Sequence, residues 1–142
     1  MLIGNRKHNH YDWLSPIDEA LICSFLQGAI YAWCDAHGTE AFAARDFVGE
    51  QNNLWQGTPL IVLFEHYNQL FKGRGRYAAK QAGRALGHLL KRVIVEDKRI
   101  FTTHIAKRVR HYQWDGLRAN DNVNYTPAWL EAAAPNRNLN LL

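Results

Sequence analysis

The stretch KGRGRYAAKQAGRALGHLLKRVIV, residues 72–95, decides how the rest of the chain is read. From Arg76 onward its residues sort cleanly when placed about 100° apart, the rotation per residue of an α-helix. One arc collects Arg76, Tyr77, Lys80, Gln81, Arg84, His88, Lys91 and Arg92; the other collects Ala78, Ala79, Ala82, Ala85, Leu86, Leu89, Leu90 and Val93. The spacing predicts an amphipathic helix from Arg76 to about Val95 with one apolar and one basic face. Lys72-Gly73-Arg74-Gly75 breaks the chain just before it. Gly83 and Gly87 fall between the arcs, and glycine inside a helix costs about 1 kcal/mol against alanine. A bare backbone there serves the close approach of either a neighbouring helix or a phosphate backbone.

Beyond Glu96-Asp97-Lys98 the period changes. Arg99 to Thr103 and Arg108 to Trp114 are β-branched and aromatic runs joined by His104-Ile105-Ala106-Lys107, which predicts a hairpin. Alternation puts Arg108, Arg110, Tyr112 and Trp114 on one face of its second strand, and Lys107, Arg108 and Arg110 at its tip. From Asp115 the pattern decays into a polar, Asn-rich tail with one anchor candidate, Trp129, behind Thr126-Pro127.

Towards the amino terminus, Ser15-Pro16 followed by Asp18 and Glu19 has the grammar of a helix start. It combines a capping hydroxyl, proline at the first position and acids at the positive end of the dipole. That helix is expected from about Ile17 to Ala36, with His37-Gly38 as its stop. Leu21, Phe25, Leu26, Ile30 and Trp33 leave it little polar face, so it reads as a core helix. Ala41-Phe42-Ala43 fits a short strand, Ala44 to Val48 a short helix, and Gly49 to Gly57 a loop holding Asn52, Asn53 and Trp55. Thr58-Pro59 repeats the start signal and opens a helix to about Phe71. The expected architecture is mainly α with a carboxy-terminal β-hairpin, an α+β class. It comprises a single domain over 1–142, with a leader (1–14), a core (15–118) and a tail (119–142).

Read in this order, the resembling segments are residues 79–94, Asp97-Lys98-Arg99-Ile100-Phe101 and Arg108-Val109-Arg110-His111-Tyr112-Gln113-Trp114. A core helix, short strand, short helix, further helix, basic helix and basic hairpin in succession resemble a winged helix-turn-helix domain. The likeness is to the winged-helix modules of phage and plasmid proteins, and it covers roughly residues 17–114. It implies a DNA-binding role, regulatory or accessory to a mobile element. The extra helix at 58–71 departs from the minimal pattern and leaves open which segment is the second helix of the helix-turn-helix.

The charge distribution agrees with that expectation. The chain has 142 residues and a net charge of +4, which alone decides little. Residues 1–71 hold 3 Lys/Arg against 8 Asp/Glu, whereas residues 72–118 hold 13 against 3. Such a block makes a local positive potential that favours a polyanion. The leading expectation is a nucleic-acid-binding protein, DNA rather than RNA, with Gln81 and Arg84 chemically suited to base edges. Lys72 and Arg74 before the helix and His88 on it join the expected contact set, Arg76, Lys80 and Lys91 suit phosphates, and Lys107, Arg108 and Arg110 on the hairpin grip the flanking backbone or minor groove. The start of the helix, with Gly73 and Gly75, offers backbone N–H groups to a phosphate.

Two other classes compete. A protein-interaction or oligomerisation module would set the basic arc against an acidic partner, including a second copy, and Trp13, Trp55, Trp114 and Trp129 suit an interface as well as a core. A hydrolase or nuclease is the third. However, His8 and His10 in the leader and His37, His66, His88, His104 and His111 beyond it show no spaced ligand set. Glu65 and His66 are adjacent and point apart on a helix. No cofactor, metal or catalytic residue is expected. Cys23 and Cys34 form no disulfide framework, which reads as cytoplasmic. The apolar run Ala20–Cys34 is too short and acid-flanked for a membrane span, no signal peptide is recognised, and Asn124-Tyr125-Thr126 matches a glycosylation acceptor by chance.

Overall fold

The computed structural model describes Leu2 and residues 11–48, 55–117 and 127–133. The expectations for His8, His10, Asn52, Asn53 and the Asn124–Thr126 acceptor lie outside these. The architecture is mainly helical with one two-stranded antiparallel hairpin, as the periodicity predicts. Helix α1 runs Pro16–His37, with the Ser15 hydroxyl accepting from the Asp18 N–H at 3.1 Å and Gly38 at φ +60° closing it. A 3₁₀ turn, Ala44–Phe47, follows, and the Asp46 carboxylate accepts the Ala43 N–H at 2.7 Å to hold it. Helix α2 spans Ile61–Leu70 and α3 spans Gly75–Glu96.

Helix α2 starts later than Thr58-Pro59 suggests. The Thr58 hydroxyl donates to the Trp55 carbonyl at 2.9 Å and accepts from the Leu60 N–H at 3.2 Å. Tight turns therefore precede the regular helix. α2 lies against α3, and α3 packs on α1. The core between them is filled at helical spacing by Ile22, Leu26 and Ile30 from α1, Leu63 from α2, and Leu86, Leu89, Leu90, Val93 and Ile94 from α3, all essentially inaccessible to solvent.

The hairpin corrects one expectation. Strand β1 is Phe101–Ala106 and β2 is Val109–Trp114, so His104, Ile105 and Ala106 belong to a strand rather than a loop. The connection is only Lys107-Arg108, with φ of 52° and 64°. Positive φ at both central residues is the mark of the turn whose twist matches a tight hairpin, a geometry usually taken by Asn-Gly. Lys-Arg carries no such signal, and the loop is accordingly overestimated from sequence. Arg108 thereby leaves the strand face assigned to it and sits in the turn.

The hairpin is fixed to the body through its base. Phe42 and Tyr112 exchange backbone hydrogen bonds of 2.9 and 2.8 Å, the short strand expected at 41–43 being reduced to one bridge. The Phe42 ring meets Trp33, Phe47, Phe101 and Tyr112. Leu2 also bridges Phe101 and is buried, while Tyr11 and Trp13 pack on the core, so parts of the leader belong to the structured body. In the tail, α4 (Ala128–Ala133) buries Trp129 and lies against α1, confirming that anchor. Among the described residues no helix is long and apolar enough to cross a membrane.

Candidate nucleic-acid interface

The exposed part of the basic arc is the amino-terminal half of α3. Arg76, Lys80 and Arg84 succeed one another at four-residue intervals and all three are exposed. Like charges at this spacing repel along a helix surface, a cost that a bound anion relieves. The first turn of α3 carries no acid and no side-chain cap.

These three side chains line a concavity of about 1160 Å³, closed on one side by the 3₁₀ turn and on another by the tip of the hairpin. Arg45 enters it from the 3₁₀ turn and Arg108 from the hairpin, while Trp55, Ile61 and Phe64 supply an apolar back wall. Trp55 and Phe64 stack with centroids 6.5 Å apart. Among the described residues, none that lines the concavity is acidic. Five cations from three separate elements thus face one space. Gly83 also lies on this lining, whereas a Cβ at Gly87 would meet nothing within 4 Å. Close helix packing therefore does not account for Gly87.

The other expected site residues lie elsewhere. Lys72 and Arg74 are exposed in the turn before α3, and the Arg74 guanidinium sits 4.4 Å from the centre of the Tyr77 ring. Lys107 is exposed beside Arg108, and Arg110 donates to the Thr103 hydroxyl at 3.0 Å. Gln81 and Lys91 are half-buried and line no part of the concavity. His88 is half-buried and hydrogen-bonded through Nδ1 to the Tyr11 hydroxyl. Its pKa is held below the ordinary histidine value by burial first, and then by Arg84 and Lys91.

Two cations of the basic block are consumed within the fold. Arg92 is ion-paired to Glu19 of α1, both largely buried. Arg99 makes a bidentate pair with Asp97 at 2.9 and 2.6 Å, to which Gln27 adds a 2.8 Å hydrogen bond. Burial raises the Asp97 carboxyl, but the hydrogen bonds from Arg99 and Gln27 outweigh it and hold the group below its usual range. Cys23 and Cys34 are free and buried, and burial, reinforced by Glu96, pushes the Cys23 thiol up to about 12.

Arg45 is the member that sequence reasoning misses, one of three cations in an acidic half of the chain. Its only signal is the short strand at 41–43. Pairing that strand with β2 puts the residues just after Phe42 beside the hairpin. Compared with known proteins, the chain matches no family model, no curated protein and no solved structure.

Proposed function

We propose that the protein binds nucleic acid, and duplex DNA in particular, across the concavity between α3 and the hairpin tip. The observation that carries this is the convergence of Arg45, Arg76, Lys80, Arg84 and Arg108 on one surface where no acid stands among the described residues. An α-helix about 10–12 Å across fits the major groove of B-form DNA, whereas the major groove of A-form RNA is deep and narrow. The exposed half of α3 enters the groove, Arg84 lies towards base edges, and Arg108 and Lys107 grip the flanking backbone. The order of elements supports the resemblance to a winged helix-turn-helix: α2 and α3 are the adjoining helix pair, and the hairpin, tied to Phe42, is the wing.

Fluorescence anisotropy with a short labelled duplex tests the proposal. With five phosphates neutralised, log K falls with log[salt] at a slope of about −4.5, and about −3.5 for a single strand. A slope near zero, or binding indifferent to charge reversal at Lys80 and Arg84, overturns it.

A second reading concerns self-association, favoured by the outer face of α1. Ile17, Leu21 and Tyr31 are exposed there, and a Cβ at Gly28 would meet nothing within 4 Å. A homodimer pairing two copies of this helix buries that stripe. Light scattering that shows a dimer for the native chain and a monomer for Leu21→Glu supports it, and a monomeric native chain refutes it.

A further inference from the structure

The register of the hairpin creates a juxtaposition that no spacing in the sequence announces. His104 on β1 stands directly across from His111 on β2. Their rings are nearly parallel, 11° apart, with centroids separated by 5.3 Å. Alternation places both on the strand face opposite to Phe101 and Tyr112, the two buried hairpin residues.

Three features make the pair competent as ligands. His111 Nδ1 lies 3.0 Å from the Val109 carbonyl, which fixes the proton on Nδ1 and leaves Nε2 with its lone pair. A histidine ligand is characteristically oriented by just such a bond from its other nitrogen. His104 is exposed and makes no hydrogen bond or ion pair among the described residues, so its ring is free to rotate. Bonds of about 2.0–2.1 Å from one metal ion to two imidazole nitrogens require the nitrogens to approach to about 3.3 Å in tetrahedral geometry. Tilting the edges of two stacked rings together reaches this without moving the backbone.

We propose that His104 and His111 form a two-imidazole site for a first-row divalent transition ion, Cu(II), Ni(II) or Zn(II), with water in the remaining positions. Among the described residues no group of three or more His, Cys, Asp or Glu side chains gathers, so of these residues the two rings supply the donors. Lys107 and Arg108 form the turn just beyond the pair and oppose any cation held by charge alone. The site therefore selects ions that bond strongly to imidazole and rejects hard ions such as Mg(II). Imidazole must be neutral to bind, so affinity falls on acidification.

The test is calorimetric titration of the full chain with each metal chloride near neutral pH, alongside histidine side-chain NMR during addition of Ni(II). The expected result is one equivalent bound, Cu(II) tighter than Ni(II) or Zn(II), with Mg(II) neither binding nor competing. Paramagnetic broadening falls first on the His104 and His111 signals. His104→Gln and His111→Gln each weaken binding roughly tenfold or more. His104→Gln breaks no hydrogen bond of the fold, so its thermal unfolding without metal stays as in the native chain. A variant with His8→Gln and His10→Gln keeps the hairpin site and removes any contribution from those two histidines. Binding unchanged in both hairpin variants, broadening that spares these two rings, or no uptake of Cu(II) at millimolar concentration overturns the proposal.

Discussion

The two halves of α3 carry the same kind of side chain on the same arc and put it to different use. In the amino-terminal half Arg76, Lys80 and Arg84 stand over a concavity that no acid among the described residues lines, joined there by Arg45 and Arg108. In the carboxy-terminal half the arc is covered: His88 is bonded to Tyr11, and Arg92 is paired with Glu19 of α1. A helical wheel treats these halves as equivalent. What separates them is the neighbour, because α1 and the Tyr11–Trp13 segment cover only one end of the helix. Basic charge on a helix is therefore a contact surface only over the length that the rest of the fold leaves bare.

The sharpest break of this comparison is Arg92→Met. It strands the Glu19 carboxylate in a site where its side chain is 11% exposed. Removing one partner of such a buried pair costs about 3 kcal/mol, expected as a lower midpoint in urea unfolding, with nucleic-acid affinity of the folded fraction unchanged. The reverse pattern is expected for Lys80→Glu with Arg84→Glu. Those side chains are exposed, so stability stays within about 0.5 kcal/mol or rises as repulsion along the helix is relieved. Affinity for duplex falls about a hundredfold at low salt. If the two variants exchanged these phenotypes, the division of α3 would be wrong.

The hairpin tip gives a smaller effect of mixed sign. Lys107 and Arg108 hold positive φ, which side chains disfavour and Asn-Gly accepts. Replacing the pair by Asn-Gly is expected to raise stability by about 1 kcal/mol and to weaken duplex binding about tenfold through the loss of Arg108. Backbone strain at two cations, one of which, Arg108, lines the concavity, is the pattern of a turn shaped for contact rather than for stability. A variant that gains stability and keeps full affinity removes Arg108 from the interface.

Legibility from sequence follows the range of the interaction. The α1 start is readable because Ser15 and Asp18 are local to one another, and the apolar face of α3 is readable because burial has helical period. The hairpin turn is not, since Lys107-Arg108 takes an Asn-Gly geometry under tertiary constraint, and the misplaced loop hides the opposition of His104 and His111. Arg45 is hidden for a similar reason. Its place depends on the single bridge between Phe42 and Tyr112, distant in sequence, which no local pattern encodes. The fate of Arg92 depends on Glu19, equally remote.

The smallest expected effect concerns pH and again divides α3. His88 is lowered by burial and by the Arg84 and Lys91 charges, and His66, stacked on Trp13 at 3.6 Å, is lowered by burial. Unfolded, both take up protons near about pH 6.5; folded, both resist until lower pH. Between those values the unfolded chain binds more protons, so stability falls as the pH drops from about 7 through the folded-state values. The contribution is present above the unfolded value and lost below the folded one. Groups facing His88 include the Tyr11 hydroxyl, Arg84 and Lys91, and those facing His66 include Trp13 and Tyr67. Urea unfolding across this range is expected to show the decline, and His88→Gln to flatten it. Duplex binding by the folded protein should move the other way, because a proton on His88 adds positive charge one turn from Arg84. A binding curve that declines with the stability curve would mean that the covered half of α3 holds the exposed half in place, and the two could no longer be treated as independent.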